Sequence, residues 1–212
     1  MNQLDLTQLA ALAAALGWAS GLRLYAVVFL TGLAGWLGWV DLPGGLKLLE
    51  SPWMLGASGF MLFVEFFADK IPGLDTVWDA IHTLIRIPAG AALAAAVFGV
   101  DEAQWATAAA LLGGSLAATS HLAKATTRAA ANTSPEPFSN IGLSLAGDAI
   151  VPAALWLAWA DPVTFMVLLA LTVLVMVATT WLLWRFLRGL FARFGRGGRE
   201  AGSVDRALEA RR

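Results

Sequence analysis

Asp75, Asp79, His82 and Arg86 recur at intervals of four, three and four residues, which sets them along one face of a helix. In water such a stripe is an ordinary solvated face. In a helix that enters lipid, a central Arg or Asp costs ~2.5–3.5 kcal/mol on insertion scales, so the stripe must turn to a cavity or to other helices. For its first turn, Asp75 and Asp79 have an alternative place among the headgroups near a helix N-terminus. Asp69 and Asp148 form a second pair, each followed by a proline three or four residues on, Pro72 and Pro152. Proline within a helix frees backbone carbonyls, and lipid tolerates these only where protein or water satisfies them. A carboxylate beside such a break could bind a cation or relay a proton. The structural alternative is a capping or interhelical pair, for example Asp148 with Arg23. Glu65 lies one turn before Asp69 on the same face, and Lys70 follows directly. The Arg23 guanidinium stays charged at any working pH. It requires a carboxylate, a substrate anion, or a snorkelling route to the surface. The candidate polar site is therefore Arg23, Glu65, Asp69, Lys70, Asp79, His82, Arg86 and Asp148, with helix breaks expected at Pro72, Pro88 and Pro152.

The elements that must hold these groups are membrane helices. The chain has 212 residues, 58% hydrophobic and 14% charged, with a mean hydropathy of +0.70. Soluble domains carry roughly 45–50% apolar and about 25% charged residues. Eleven of the 29 charges follow Trp184, so the preceding residues could not coat a soluble globule. The absence of Cys excludes disulfides, thiolate metal sites and thiol redox chemistry, and two His cannot alone build a multi-histidine metal site. A net charge of -1 gives no field for nucleic acid. The N-terminal stretch lacks the basic residues of a secretory signal, so cleavage is not expected.

A bilayer core of about 30 Å takes roughly 20 apolar residues per helix. Six spans are expected, near 9–30, 53–68, 77–99, 104–123, 138–159 and 163–183, in an all-α bundle with broken helices. Residues 31–52 read as an outer hairpin or interfacial segment. The polytopic domain is set at 1–187, and the basic remainder, 188–212, reads as a disordered cytoplasmic tail. Positive-inside bias places the Arg-rich C-terminus, and with six spans the N-terminus too, in the cytoplasm. Lys124 and Arg128 then read as topology anchors. Trp36, Trp39, Trp53, Trp105 and Trp159 fall at the outer boundary, and Trp78, Trp181 and Trp184 at the inner one. Gly17 and Gly21, with Gly113 and Gly114 in a small-residue run, read as helix-packing positions, because small residues let membrane helices approach closely.

Two patterns recur in the chain. The Asp69–Pro72 element is echoed by 148–152, and GWASGLRL at 17–24 is loosely echoed by GSLAATSHL at 114–122. Repeats over 6–99 and 104–187, three spans each, would be inverted in the membrane, a recurrent transporter architecture with its polar site near the midplane. No metalloprotease, nucleophile-elbow, phosphate-loop or dinucleotide fingerprint is present, and no cofactor is expected.

Gly21-Leu22-Arg23, Glu65, Ala68-Asp69-Lys70-Ile71-Pro72 leading into Asp75, and Arg86-x-Pro88-x-Gly90 together resemble the bacterial integral-membrane family catalogued as domain of unknown function 4126. The resemblance implies a multi-pass helical protein of the bacterial inner membrane and carries no activity. The residues point to a small transporter or channel for an ion or small anionic solute, with proton coupling open. The alternative is a non-transporting scaffold or lipid-interacting protein whose buried charges are structural pairs. The expected partners are the bilayer, such a solute, and a second copy of the chain.

Overall fold

The computed structural model describes residues 4–71, 73–133 and 137–209. Helices form where the apolar runs predict them: α1 (Leu6–Trp36), α2 (Pro52–Ala68), α3 (Leu74–Phe98), α4 (Ala103–Ala131), α5 (Pro137–Ala160) and α6 (Pro162–Glu209). A short 3-10 helix, Gly44–Glu50, lies between α1 and α2. No strand occurs among the described residues. Local chemistry sets the ends. Asp5 caps α1 in a reciprocal capping box with Gln8. Ser51 caps α2 just ahead of Pro52. Gly73 and Gly99 bracket α3 at φ +88° and +72°, values that favour glycine.

Among the described residues four helices are long and apolar enough to cross a membrane: Leu6–Trp36, Val77–Phe98, Ile141–Ala160 and Pro162–Phe186. The bent pair Gly44–Glu50 and Pro52–Ala68, 69° apart, makes a fifth if taken as one span. The chain is an all-helical membrane protein. Its centre is α1, whose most apolar window is 83% buried, against 6% for α6. Most Leu and Val side chains of α6, among them Val167, Leu171, Leu174, Val175 and Val177, point outward, as lipid contact requires.

α1 is two helices joined at Arg23, whose backbone (φ -146°, ψ 77°) is not helical. Contacts on the two sides establish that the chain turns back there. Before the break α1 runs parallel to α4, with Gly17 against Gly113, Gly21 against Ala117 and the Leu22 carbonyl on Lys124. After it, Tyr25 meets His82, Phe29 meets Gly59, and Gly32 and Gly35 meet Leu49 and Glu50. The 3-10 helix in turn packs at the far end of α3, Gly45 against Ala96. Residues 11–16 share one apolar cluster with Leu42, Leu46, Leu49, Val97 and Ala109. Thus α1 starts and finishes at the same end of the bundle, with Arg23 at its apex.

This geometry corrects several expectations. The first span is a helical hairpin and not one of six straight crossings. α6 follows the direction of α4, since α5 runs back from Arg23, at Ser144, along Trp18, at Ile150 to Leu157, and α6 turns from it across the single residue Asp161. The start of α1 and the far half of α6 therefore sit at opposite ends, not together. Inversion of 6–99 on 104–187 would set the Gly17 and Gly114 segments antiparallel, whereas they run parallel. The breaks move as well: Pro88 and Pro152 lie inside uninterrupted helices. Each forgoes a single N–H, and Pro88 faces outward. Pro72 lies outside the described residues. Residues 31–36 extend α1 instead of joining the outer hairpin. The backbone of 188–209 is helical, where composition suggested disorder, and 210–212 lie outside the described residues.

Candidate functional site

Glycine is what lets the elements around the break meet. A Cβ on Gly17 would run into the Gly113 backbone, one on Gly21 into Ala117 and Ser120, and one on Gly113 into Ala94 and the Gly90 carbonyl. Gly114 has more room, its nearest neighbour being the Ala91 methyl. α1, α3 and α4 therefore touch nearly backbone to backbone below the break, which brings their polar residues above it within reach of one another. Ser120 Oγ donates to the Trp18 carbonyl at 2.6 Å, and Lys124 Nζ to the Leu22 carbonyl at 3.0 Å. These bonds hold carbonyls on the approach to the break, which lipid could not satisfy.

Arg23 is 1% exposed. Its guanidinium meets Asp69 at 2.6 Å and Asp148 at 2.9 Å, and donates to the Ser144 carbonyl and hydroxyl at 2.9 Å. Lys70 joins Asp148 at 3.1 Å and lies over the Phe66 ring. Asp69 also receives Lys124 at 3.0 Å and Arg128 at 2.9 Å, so one carboxylate gathers three cations. Asp79 binds Arg86 at 2.8 Å and both Lys124 and Arg128 at 3.2 Å. Arg86, fully buried, binds Glu65 at 2.5 Å. Every sequence-derived polar candidate except His82 thus lies in one network spanning α1 to α5. The Asp75–Arg86 stripe faces inward along its whole length, and Asp75 Oδ1 accepts from the Gly73 N–H at 2.9 Å.

His121 extends the network and His82 lies beside it, and the partners of each assign a tautomer to the neutral ring. The Trp78 carbonyl can only accept, so His82 Nδ1 donates to it at 2.8 Å, and Nε2 accepts from the Tyr25 hydroxyl at 3.1 Å. Arg86 can only donate, so His121 Nδ1 accepts at 3.3 Å. Its Nε2–H then donates to Thr83 Oγ1 at 2.7 Å, and Thr83 donates to the Asp79 carbonyl at 2.9 Å.

Sequence reasoning missed six members of this constellation. Arg128 is buried and Lys124 half-buried, and both are network members and not headgroup anchors. His121, Tyr25, Thr83 and Ser144 were not singled out as site residues. A signal existed: His121, Lys124 and Arg128 are spaced three and four apart, in line with Gly113 and Ala117. That is the complement on α4 of the acidic stripe on α3. Positive-inside counting explained the two cations too early.

A cleft of about 420 Å³ opens between α1, α4, α5 and α6. Arg23, Lys124 and Arg128 line one wall. Trp18, Leu22, Leu143, Ile150, Val175 and Met176 supply the apolar walls, and no carboxylate lines the cleft. Asp69 and Asp79 stand behind the three cations. Among the described residues no group of His, Asp and Glu is arranged to hold a metal ion.

The sequence profile of a family described as Domain of unknown function (DUF4126) matches residues 10–184, which contain the entire network. The chain belongs to this family. Comparison with curated proteins and with solved structures returns no match. In this DUF4126 chain the Gly-Leu-Arg segment forms the α1 apex, and the Ala-Asp-Lys element delivers the carboxylate that receives three cations.

Proposed function

We propose that this protein is a small transporter for an anionic solute, with the buried ion-pair network as its gate. One observation carries the reading: the cleft presents Arg23, Lys124 and Arg128 and no carboxylate. Cation binding at Glu65, Asp69 or Asp148 finds less support, since each is already bonded to a guanidinium or ammonium. An entering anion competes with Asp69 for the three cations, and losing Asp69 loosens the contacts between α1, α4 and the end of α2. A helical hairpin with its apex inside the bundle suits such a role, because non-helical backbone at membrane depth persists only where protein buries it or it lines a cavity. In the bacterial inner membrane, the Arg-rich end of α6 faces the cytoplasm, α2 to α6 cross, and α1 enters and leaves from outside. Element directions support inverted halves that begin at the returning limb of α1, 24–99 and 103–187.

The test is charge movement on a solid-supported membrane with purified protein in liposomes under imposed anion, proton and sodium gradients, with an internal pH dye to detect electroneutral exchange. Wild type gives an anion-dependent signal that Arg23→Gln and Asp148→Asn lose while remaining folded. No signal under any gradient refutes the proposal.

A scaffold reading rests on a different observation: all five network cations have carboxylate partners. It expects Arg23→Gln and Asp148→Asn each to destabilise, with partial recovery in the double variant.

A further inference from the structure

The cleft fits more of a ligand than a charge. Its cationic wall is one side only. The remainder is apolar apart from Thr127, Thr172 and Thr179. Ile150 and Val175 line it and are also 47% and 64% exposed on the lipid-facing surface of α5 and α6. The cleft is therefore open sideways, toward acyl chains. Its volume of about 420 Å³ lies within the roughly 300–1,000 Å³ of small-molecule sites. A free inorganic anion would leave the apolar walls uncovered, and an uncharged lipid would leave the cations unread.

Two details concern Arg23, which lines the space. Arg23 Nη1 is buried and has no acceptor in hydrogen-bonding geometry, although Asp69 Oδ2 stands 2.6 Å away. Gly147 lines the cleft directly in front of Arg23, and a Cβ there would come within 3.6 Å of Nε. A side chain at 147 would stand between the cleft and the guanidinium.

From this we infer that the cleft is a site for an anionic amphiphile, its phosphate or carboxylate head on Arg23, Lys124 and Arg128 and its acyl chain leaving between α5 and α6. The inference rests on the anion reading above and gives its substrate class. Charge-assisted hydrogen bonds of this kind set the discrimination against a zwitterionic head at roughly ten- to a hundredfold in Kd.

The test uses full-length protein in a nonionic detergent, with Kd and thermal midpoint measured for oleoyl lysophosphatidate, oleate, oleoyl lysophosphatidylcholine and inorganic phosphate. Lysophosphatidate and oleate bind, the zwitterion binds roughly ten- to a hundredfold more weakly, and phosphate alone is weaker still. Gly147→Leu keeps its unliganded midpoint and loses lysophosphatidate binding. Ile150→Trp, at a half-exposed wall position, gives the same loss should Gly147→Leu not fold. Equal binding of the zwitterion overturns the inference, because the cations are then not read. Phosphate binding as tightly as lysophosphatidate overturns the amphiphile and leaves the anion reading standing. Undiminished binding in both folded variants overturns the location. Anion currents without amphiphile binding refute this inference alone, whereas binding without currents refutes only transport.

Discussion

Glu65 and Arg86 are fully buried on neighbouring helices, and their contact is the most isolated in the network. Arg86→Met removes a cation that two carboxylates share, yet the two are left in different states. Asp79 keeps Lys124 and Arg128 at 3.2 Å. Glu65 keeps no ion-pair partner among the described residues, and its Oε2 already lacks a hydrogen bond. Removing one member of a buried pair costs about 3–5 kcal/mol, chiefly through the charge left behind. Nearly all of that cost should therefore reside in Glu65. The expected result is that Arg86→Met loses about 3–5 kcal/mol in reversible unfolding in bicelles, and that adding Glu65→Gln returns most of it. Glu65→Gln alone is milder, because Arg86 retains Asp79 at 2.8 Å. The assay is a four-variant cycle with unfolding followed by tryptophan fluorescence. Additive losses in the double variant would refute the assignment of the cost to Glu65.

Three further outcomes follow from other parts of the molecule. A single cysteine introduced at Leu6 or at Trp36, in a chain with no native Cys, reacts with an impermeant maleimide from the same face, and one at Trp184 reacts from the other. Labelling of Leu6 and Trp36 from opposite faces would exclude the hairpin. Gly113→Val costs at least the roughly 1–3 kcal/mol of overpacking, because its Cβ meets Ala94 and the Gly90 carbonyl, whereas Gly56→Ala, with open space around it, leaves thermal unfolding unchanged or slightly improved. At the start of α6 the Asp161 carboxyl sits below its ordinary range, through hydrogen bonds from the Thr164 side chain and then its N–H. Its contribution is complete above the unfolded-state value and is lost as pH falls through the lower folded one, so Asp161→Asn flattens the acid limb of a pH–stability profile.

The helices were legible because lipid leaves few options: long apolar runs become helices, and their ends fall near the expected boundaries. The polar candidates were legible for the same reason, since an ionised group in such a run must find a partner. Arg23 and Asp148 could be suspected as a pair from that argument alone. The reversal of α1 was not legible. It needs no proline or glycine at the turn itself, only partners for an opened backbone, and those arrive from Ser120 and Lys124 a hundred residues away. The prolines misled in the opposite direction, since Pro88 and Pro152 cost one hydrogen bond each inside helices that continue through them. Lys124 and Arg128 were hidden by a rule that is sound on average. Positive-inside bias counts charge near a boundary and is blind to which way a side chain turns.

The hairpin apex also bears on how the chain is made. Arg23 leaves the ribosome before any of its partners, and Ser144 is 121 residues further on. At roughly 5–20 residues per second that interval is about 6–24 s. During it the first limb carries a permanent cation that hydrocarbon penalises by ~2.5–3.5 kcal/mol. The nascent hairpin must therefore wait at the membrane surface or beside the insertion machinery until α2, α4 and α5 supply their acids and hydroxyls. The most central helix of the finished bundle thus reaches its place only after α5 has been made.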